Sequence, residues 1–172
     1  QVLASTIPNC VSYDPTFAHE VGIILHHGLR RMVEKQEDVF YYVTLLNENY
    51  PMPGLTAGTE EQILQGMYLC KAGAAGDQRV QLLGSGSILR ESLEAQKLLA
   101  TDWGVQADVW SCPSFNELAR EGQDVARWNL LHPTEPQRVP FVTRQLQPHA
   151  GPVVASTDYI KNYAEQIRAY VP

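Results

Sequence analysis

Four short segments carry residue types that could do chemistry. The run Gly84-Ser85-Gly86-Ser87 follows an apolar stretch and precedes an amphipathic one, so it reads as a strand-to-helix turn. Such a turn offers unpaired backbone N–H groups at the positive end of a helix dipole, which favours an anion. A dinucleotide fingerprint needs a third glycine where this chain has Leu89, and a nucleoside-triphosphate loop needs Gly-Lys-Ser/Thr, which is absent. Two readings stand side by side. One is a tight βα turn with Ser87 capping the helix; the other is a loop that takes a regulatory anion or a protein partner.

His19-Glu20 has the opening of a zinc-protease helix, but the position four beyond His19 is Ile23, so two imidazoles cannot converge on one metal. His26 stands about 10 Å further along the same helix, too far to share an ion with His19. His26 and His27 are neighbours and point to different sides, one toward the sheet or a domain boundary and the other toward water. Asn47-Glu48-Asn49 lies just past a predicted strand, where open α/β sheets gather ligands, although the same side chains could merely satisfy turn backbone. Glu37-Asp38 and Glu60-Glu61 read as solvated faces. Cys112 ends a predicted strand before Pro113; a thiolate there needs a cation or base that the sequence does not place, so it reads as buried and inert. Cys10, Cys70 and Cys112 are odd in number and lack Cys-x-x-Cys spacing, which suggests neither a disulfide framework nor a zinc site and fits a reducing compartment. No Gly-x-Ser-x-Gly elbow occurs. Taken alone, these residues name no active site.

The elements that must position them follow from periodicity. Thr6-Ile7-Pro8-Asn9 reads as a turn and Val11-Ser12-Tyr13 as a strand; Asp14-Pro15 then starts a helix, with Asp14 as cap and Pro15 at the first helical position. Phe17, Val21, Ile24, Leu25, Leu29 and Met32 recur at helical spacing, which predicts a helix over 15–34. Residues 39–46 are β-branched, aromatic and almost continuously apolar, as in a strand buried on both faces. Two prolines and a glycine in 51–54 end it. Residues 51–75 read as a linker with one helix, 60–70. Beyond it come strand 80–83, helix 87–100, strand 107–111, helix 114–121, a helical stretch 140–146, strand 152–155 and helix 159–170. Strands alternating with helices predict an α/β fold with a mostly parallel sheet.

The chain has 172 residues, 44% of them apolar and 19% charged, enough to bury a core and too little charge for a disordered tail. Nineteen acids against 13 bases give a net charge of −6, and no basic cluster exceeds Arg30-Arg31, so nucleic acid is not an expected partner. No apolar run approaches the ~20 residues of a membrane helix, so no membrane partner is expected either. The chain opens on Gln1 and its first methionine is Met32, which suggests a piece of something longer.

Longer matches add a family. Thr6-Ile7-Pro8-Asn9, Tyr13-Asp14-Pro15, Glu20, 45–50, 81–90, 115–120, Arg127-Trp128-Asn129, Leu131-His132-Pro133, 154–159 and 164–168 together resemble the decarboxylating first component of the bacterial, homodimeric pyruvate dehydrogenase complex, nearly end to end. The resemblance implies that 1–50 are the last part of a pyrimidine-binding α/β domain and 76–172 most of a transketolase-like C-terminal domain, incomplete at its end. It implies an intact bacterial cytoplasmic enzyme, using thiamine diphosphate and Mg²⁺, that decarboxylates pyruvate and reductively acetylates lipoyl groups. The implied partners are the rest of the parent chain, a second subunit and the dihydrolipoyl acetyltransferase component. The family's Gly-Asp-Gly metal motif has its nearest approach here in Gly76-Asp77-Gln78, and the residues that act on the cofactor would lie upstream of Gln1. No catalytic, cofactor-binding or metal residue is therefore carried over, and a structural, subunit-organising role is expected. Two rivals remain: a binding module at Gly84–Ser87, and an α/β enzyme relying on Cys112 or His26.

Overall fold

A computed structural model describes all 172 residues. A short helix α1 (Val2–Ser5) precedes strand β1 (Cys10–Tyr13), helix α2 (Ala18–Leu29) and strand β2 (Phe40–Val43). Then follow α3 (Glu60–Gln65), β3 (Tyr68–Lys71), β4 (Arg79–Gly84), α4 (Ile88–Trp103), β5 (Gln106–Ser111), α5 (Phe115–Leu131), α6 (Phe141–Leu146), β6 (Val153–Ser156) and α7 (Asn162–Glu165). β1 and β2 form a parallel pair, Cys10 opposite Phe40 and Tyr13 opposite Val43. The larger sheet has the order β3-β5-β4-β6; β4 runs parallel to both β5 and β6, and β3 is antiparallel to β5. The fold is α/β with mostly parallel strands. No helix is long and apolar enough to cross a membrane.

The period of two along β4 divides the core. Val80 and Leu82 join Phe17, Leu89, Ala107 and Val109 on the α4 side. Leu83 faces the other way, among Trp110, Phe115, Leu118, Phe141 and Tyr163. A third cluster of Val11, Tyr13, Ile24, Ile63 and Tyr68 bridges the two sheets.

Several expectations need correction. Helix α2 starts at Ala18, and Glu20 in its first turn accepts the backbone N–H groups of Thr16 and Phe17 at 2.6 and 3.0 Å, so Asp14 does not cap it. The helix closes as a wide π turn over Arg30–Glu34. Strand β2 is shorter than 39–46 and pairs only with β1, leaving Phe40 and Tyr42 each 45% exposed; one layer covers it, not two. The helix expected over 60–70 stops at Gln65 because Gly66 adopts φ +106°, after which the chain extends into β3 along β5. α5 runs on to Leu131 through Gly122, where the Tyr170 ring lies so close that no Cβ would fit. The helix expected over 159–170 is instead α7 followed by a 3₁₀ turn, Arg168–Tyr170.

Candidate functional site

Parallel strands β4 and β5 end at Gly84 and Ser111, and each chain end turns directly into a helix. In sheets of this kind that edge is where groups from elsewhere in the fold converge. Here residues 12–20, from the end of β1 through the first turn of α2, fill it.

Glu20 is at the centre, fully buried. Besides the two backbone N–H groups, its carboxylate accepts the Tyr68 hydroxyl at 2.8 Å and the Ser111 hydroxyl at 2.6 Å. Four donors, from α2's own entry, β3 and β5, compensate a charge that burial alone would make costly. The Tyr68 oxygen is also 3.2 Å from His19 Nε2, and His19 Nδ1 is 3.1 Å from the Pro53 carbonyl. Burial, then the Glu20 charge, drives the Tyr68 phenol far above its usual range and the Cys112 thiol well up, and pushes Cys70 up to about 11. Cys112 is therefore an inert core thiol.

Asp14 is the second centre. Its N–H donates to the Pro113 carbonyl at 2.6 Å, and its carbonyl accepts the Gly86 N–H at 3.1 Å. Thr16 Oγ1 donates to the Gly86 carbonyl at 2.7 Å. The Asp14 carboxylate accepts Thr44 Oγ1 at 2.5 Å and the Tyr159 hydroxyl at 3.4 Å. Burial raises the Asp14 carboxyl; hydrogen bonds from Thr44, Ser85 and Tyr159 restrain the rise, and nearby Asp158 adds to it. Gly86 has φ +53°, and a Cβ there would lie 2.5 Å from an Asp14 carboxylate oxygen. Only glycine accommodates both constraints. Ser85 donates to Thr157 Oγ1 at 3.2 Å, and Ser87 donates to the Asp158 carboxylate instead of capping α4. The turn Gly84–Ser87 thus faces two carboxylates of the chain itself, which occupy the positive end of α4.

A third set of bonds joins α5 to β1. Ser114 donates to the Ser12 carbonyl at 2.6 Å and accepts the Glu117 N–H at 3.0 Å, and Asn116 Nδ2 donates to Ser12 Oγ at 2.5 Å.

The other sequence candidates do not gather here. Asn47, Glu48 and Asn49 are exposed beyond β2; Glu48 pairs with Arg90 at 2.7 Å, and Arg90 lies over the Tyr50 ring. His26 is exposed, whereas His27 Nδ1 is 3.1 Å from the Tyr41 hydroxyl; burial, then Arg31 and Lys35, lowers its pKa. A cavity of about 700 Å³ beside β6 is lined by Leu83, Ile88, Val154, Tyr159 and Ile167; its charged rim, Lys161, Glu165 and Arg168, is self-paired. No group of three His, Cys, Asp or Glu side chains could hold a metal ion, and Asp77 of Gly76-Asp77-Gln78 is exposed. The donor set does not fit Mg²⁺ and a diphosphate. What Glu20, Asp14 and Ser12 build is a joint between the two sheets.

The sequence offers Glu20 as a would-be metal neighbour and as one residue of the family resemblance, not as a buried acceptor, and it does not single out Asp108. This buried carboxylate on β5, near the strand start and so away from the joint, accepts Arg79 and the Gly73 N–H at 2.8 Å each, and Gln81 and His149 at 3.1 Å each. The signal was available: an acid inside the apolar run Ala107-Asp108-Val109-Trp110.

Comparison with known proteins agrees with the resemblance. Residues 1–53 match the family described as the pyruvate dehydrogenase E1 component middle domain, and residues 66–171 match the transketolase-like TK C-terminal domain. Pyruvate dehydrogenase E1 components are similar throughout: that of Haemophilus influenzae is 58% identical over 174 residues, covering 99% of this chain and 19% of its own length. That of Escherichia coli K12 is 56% identical over 168 residues, covering 97% and 19%, and that of Cupriavidus necator 55% over 173, covering 99% and 19%. A transketolase variant from Pichia stipitis, solved in complex with fructose 6-phosphate, aligns with TM-score 0.53 at 14% identity, over 98% of this chain and 24% of that one, a likeness of fold. The chain spans about a fifth of the length of the curated relatives it matches.

Proposed function

This chain belongs to the transketolase-like C-terminal domain family, whose pattern residues 66–171 carry, and on that footing we propose that it joins the middle and C-terminal domains of a pyruvate dehydrogenase first component. That family is thiamine diphosphate dependent. The whole protein decarboxylates pyruvate with thiamine diphosphate and Mg²⁺ and passes the acetyl unit to lipoyl groups of a dihydrolipoyl acetyltransferase, as a homodimer in the bacterial cytoplasm.

The contribution of these residues is positional. The observation that carries this is Glu20, a carboxylate with no exposure, satisfied by Tyr68 and Ser111 on one side and by Thr16 and Phe17 on the other. Catalysis needs donors and bases held in fixed geometry, and a stiff joint between two domains supplies such a frame. A regulatory anion at Gly84–Ser87 would compete with Asp14 and Asp158, so that alternative has no support of its own.

The test has two arms. The complete polypeptide, given pyruvate, thiamine diphosphate and Mg²⁺, releases carbon dioxide and acetylates a lipoyl domain; a folded, cofactor-loaded protein that does neither overturns the assignment. The 172-residue chain alone gives no cofactor-dependent turnover, and turnover by it would overturn the structural role.

A further inference from the structure

Of the nine arginines, seven sit within 4 Å of a carboxylate oxygen. The two that do not, Arg127 and Arg138, stand on one projection: the last turns of α5 and the loop 132–140. This loop is built, not slack. Asn129 Nδ2 donates to the Arg138 carbonyl at 2.9 Å, and the Arg138 N–H donates back to Asn129 Oδ1 at 2.8 Å. The Arg138 guanidinium lies 3.8 Å from the centroid of the Trp128 ring, and His132 stacks on the same ring at 4.5 Å. Pro133, Pro136 and Pro140 fix φ along the excursion. A loop ordered in advance gives up little entropy on binding.

Beside it, Arg127, Leu130 and Leu131 share a face of α5 by their spacing of three and four. Leu130 is 79% and Leu131 60% exposed. The nearest acids in sequence, Asp124 and Glu135, form no ion pair with either arginine. A patch of two free guanidinium groups, a stacked aromatic and two bare leucines calls for a partner with carboxylates flanking apolar side chains.

We propose that this projection docks an acidic, leucine-bearing segment of a partner protein, its carboxylates meeting Arg127 and Arg138 and its apolar side chains covering Leu130 and Leu131. Two cations are too few to track a nucleic-acid backbone, and two guanidinium groups on one face repel the same face of a second copy. The proposal goes beyond the pyruvate assignment and does not depend on it, since no reacting group is involved.

The test titrates the complete polypeptide against a fluorescein-labelled peptide of Glu and Leu residues, read by anisotropy, with a Lys and Leu peptide and poly(U) RNA as comparisons. Binding of the acidic peptide weakens at least about tenfold in R127E/R138E, several-fold in L130S/L131S, and again on raising salt to about 300 mM. R127Q/R138Q, which removes charge without reversing it, shows an intermediate loss at an unchanged thermal midpoint. The proposal is overturned by no binding to the wild type, by variants within twofold of it, by equal binding of the basic peptide or RNA, or by a wild-type self-association through this face that R127E/R138E abolishes.

Discussion

Asp108 is stable inside β5 only because Arg79, Gly73, His149 and Gln81 all donate to it. Burial pushes its carboxyl up, but these hydrogen bonds, led by Arg79, outweigh burial and hold it at about 2. An unfolded aspartate titrates near 3.9, so between about pH 5 and 2 the unfolded chain binds more protons than the folded one. The stabilisation, on the order of 2–3 kcal/mol, is complete above that window and disappears as the pH falls through it. In D108N the slope from this group vanishes. Urea midpoints measured at successive pH values therefore show a wild-type advantage at pH 6 that shrinks toward pH 2; an advantage that stays constant refutes the argument. The acid inside an apolar run is visible in the sequence, but the cluster it forms is not: its four donors come from positions 73 to 149, and only the fold collects them.

At the scale of elements, β4, β5 and β6 were legible because β-branched and apolar runs bounded by glycine and proline leave few alternatives. β3 was not. Ile63, Leu64, Met67 and Tyr68 keep helical spacing straight through Gly66, so periodicity alone extends α3 to Cys70. What ends the helix is the left-handed turn at Gly66, with a Cβ position 2.5 Å from the Ser114 carbonyl, together with the pairing of Tyr68 and Leu69 with Ser111 and Trp110. The joint was illegible for the same reason: Glu20 meets Ser111, and Asn116 meets Ser12, across separations that no local pattern reports. Gly66→Ala tests the element-level account. It adds left-handed strain, typically about 1 kcal/mol, to a backbone clash, so it lowers stability by more than about 2 kcal/mol in chemical denaturation. The same substitution at Gly22, on the exposed face of α2 with open space around it, is neutral or mildly stabilising. Equal effects at the two positions would show that the turn at Gly66 does not terminate α3.

The whole molecule depends on the joint because its smaller sheet cannot stand by itself. A two-stranded pair such as β1–β2 is marginal in water, and β2 already leaves Phe40 and Tyr42 half out. Its stability is borrowed through Glu20, Asp14 and Ser12 from the four-stranded sheet, so the chain unfolds in one transition, with protection of β1 amides close to that of β5. Glu20→Ala removes the acceptor and leaves four buried donors, the N–H groups of Thr16 and Phe17 and the hydroxyls of Tyr68 and Ser111, without partners. At about 1–3 kcal/mol for each unsatisfied group, partial repair by water still leaves a loss above about 3 kcal/mol. Because Val80, Leu82, Val109 and Trp110 pack without help from α2's polar face, that loss falls on one side of the joint. Hydrogen exchange of E20A accordingly shows amides of 10–13 and 40–43 opening at least about a hundredfold faster than in the wild type, while those of 80–84 and 107–111 change little. Uniform acceleration across both sheets would mean that the larger sheet leans on the smaller as much as the reverse, and that Glu20 is one core contact among many.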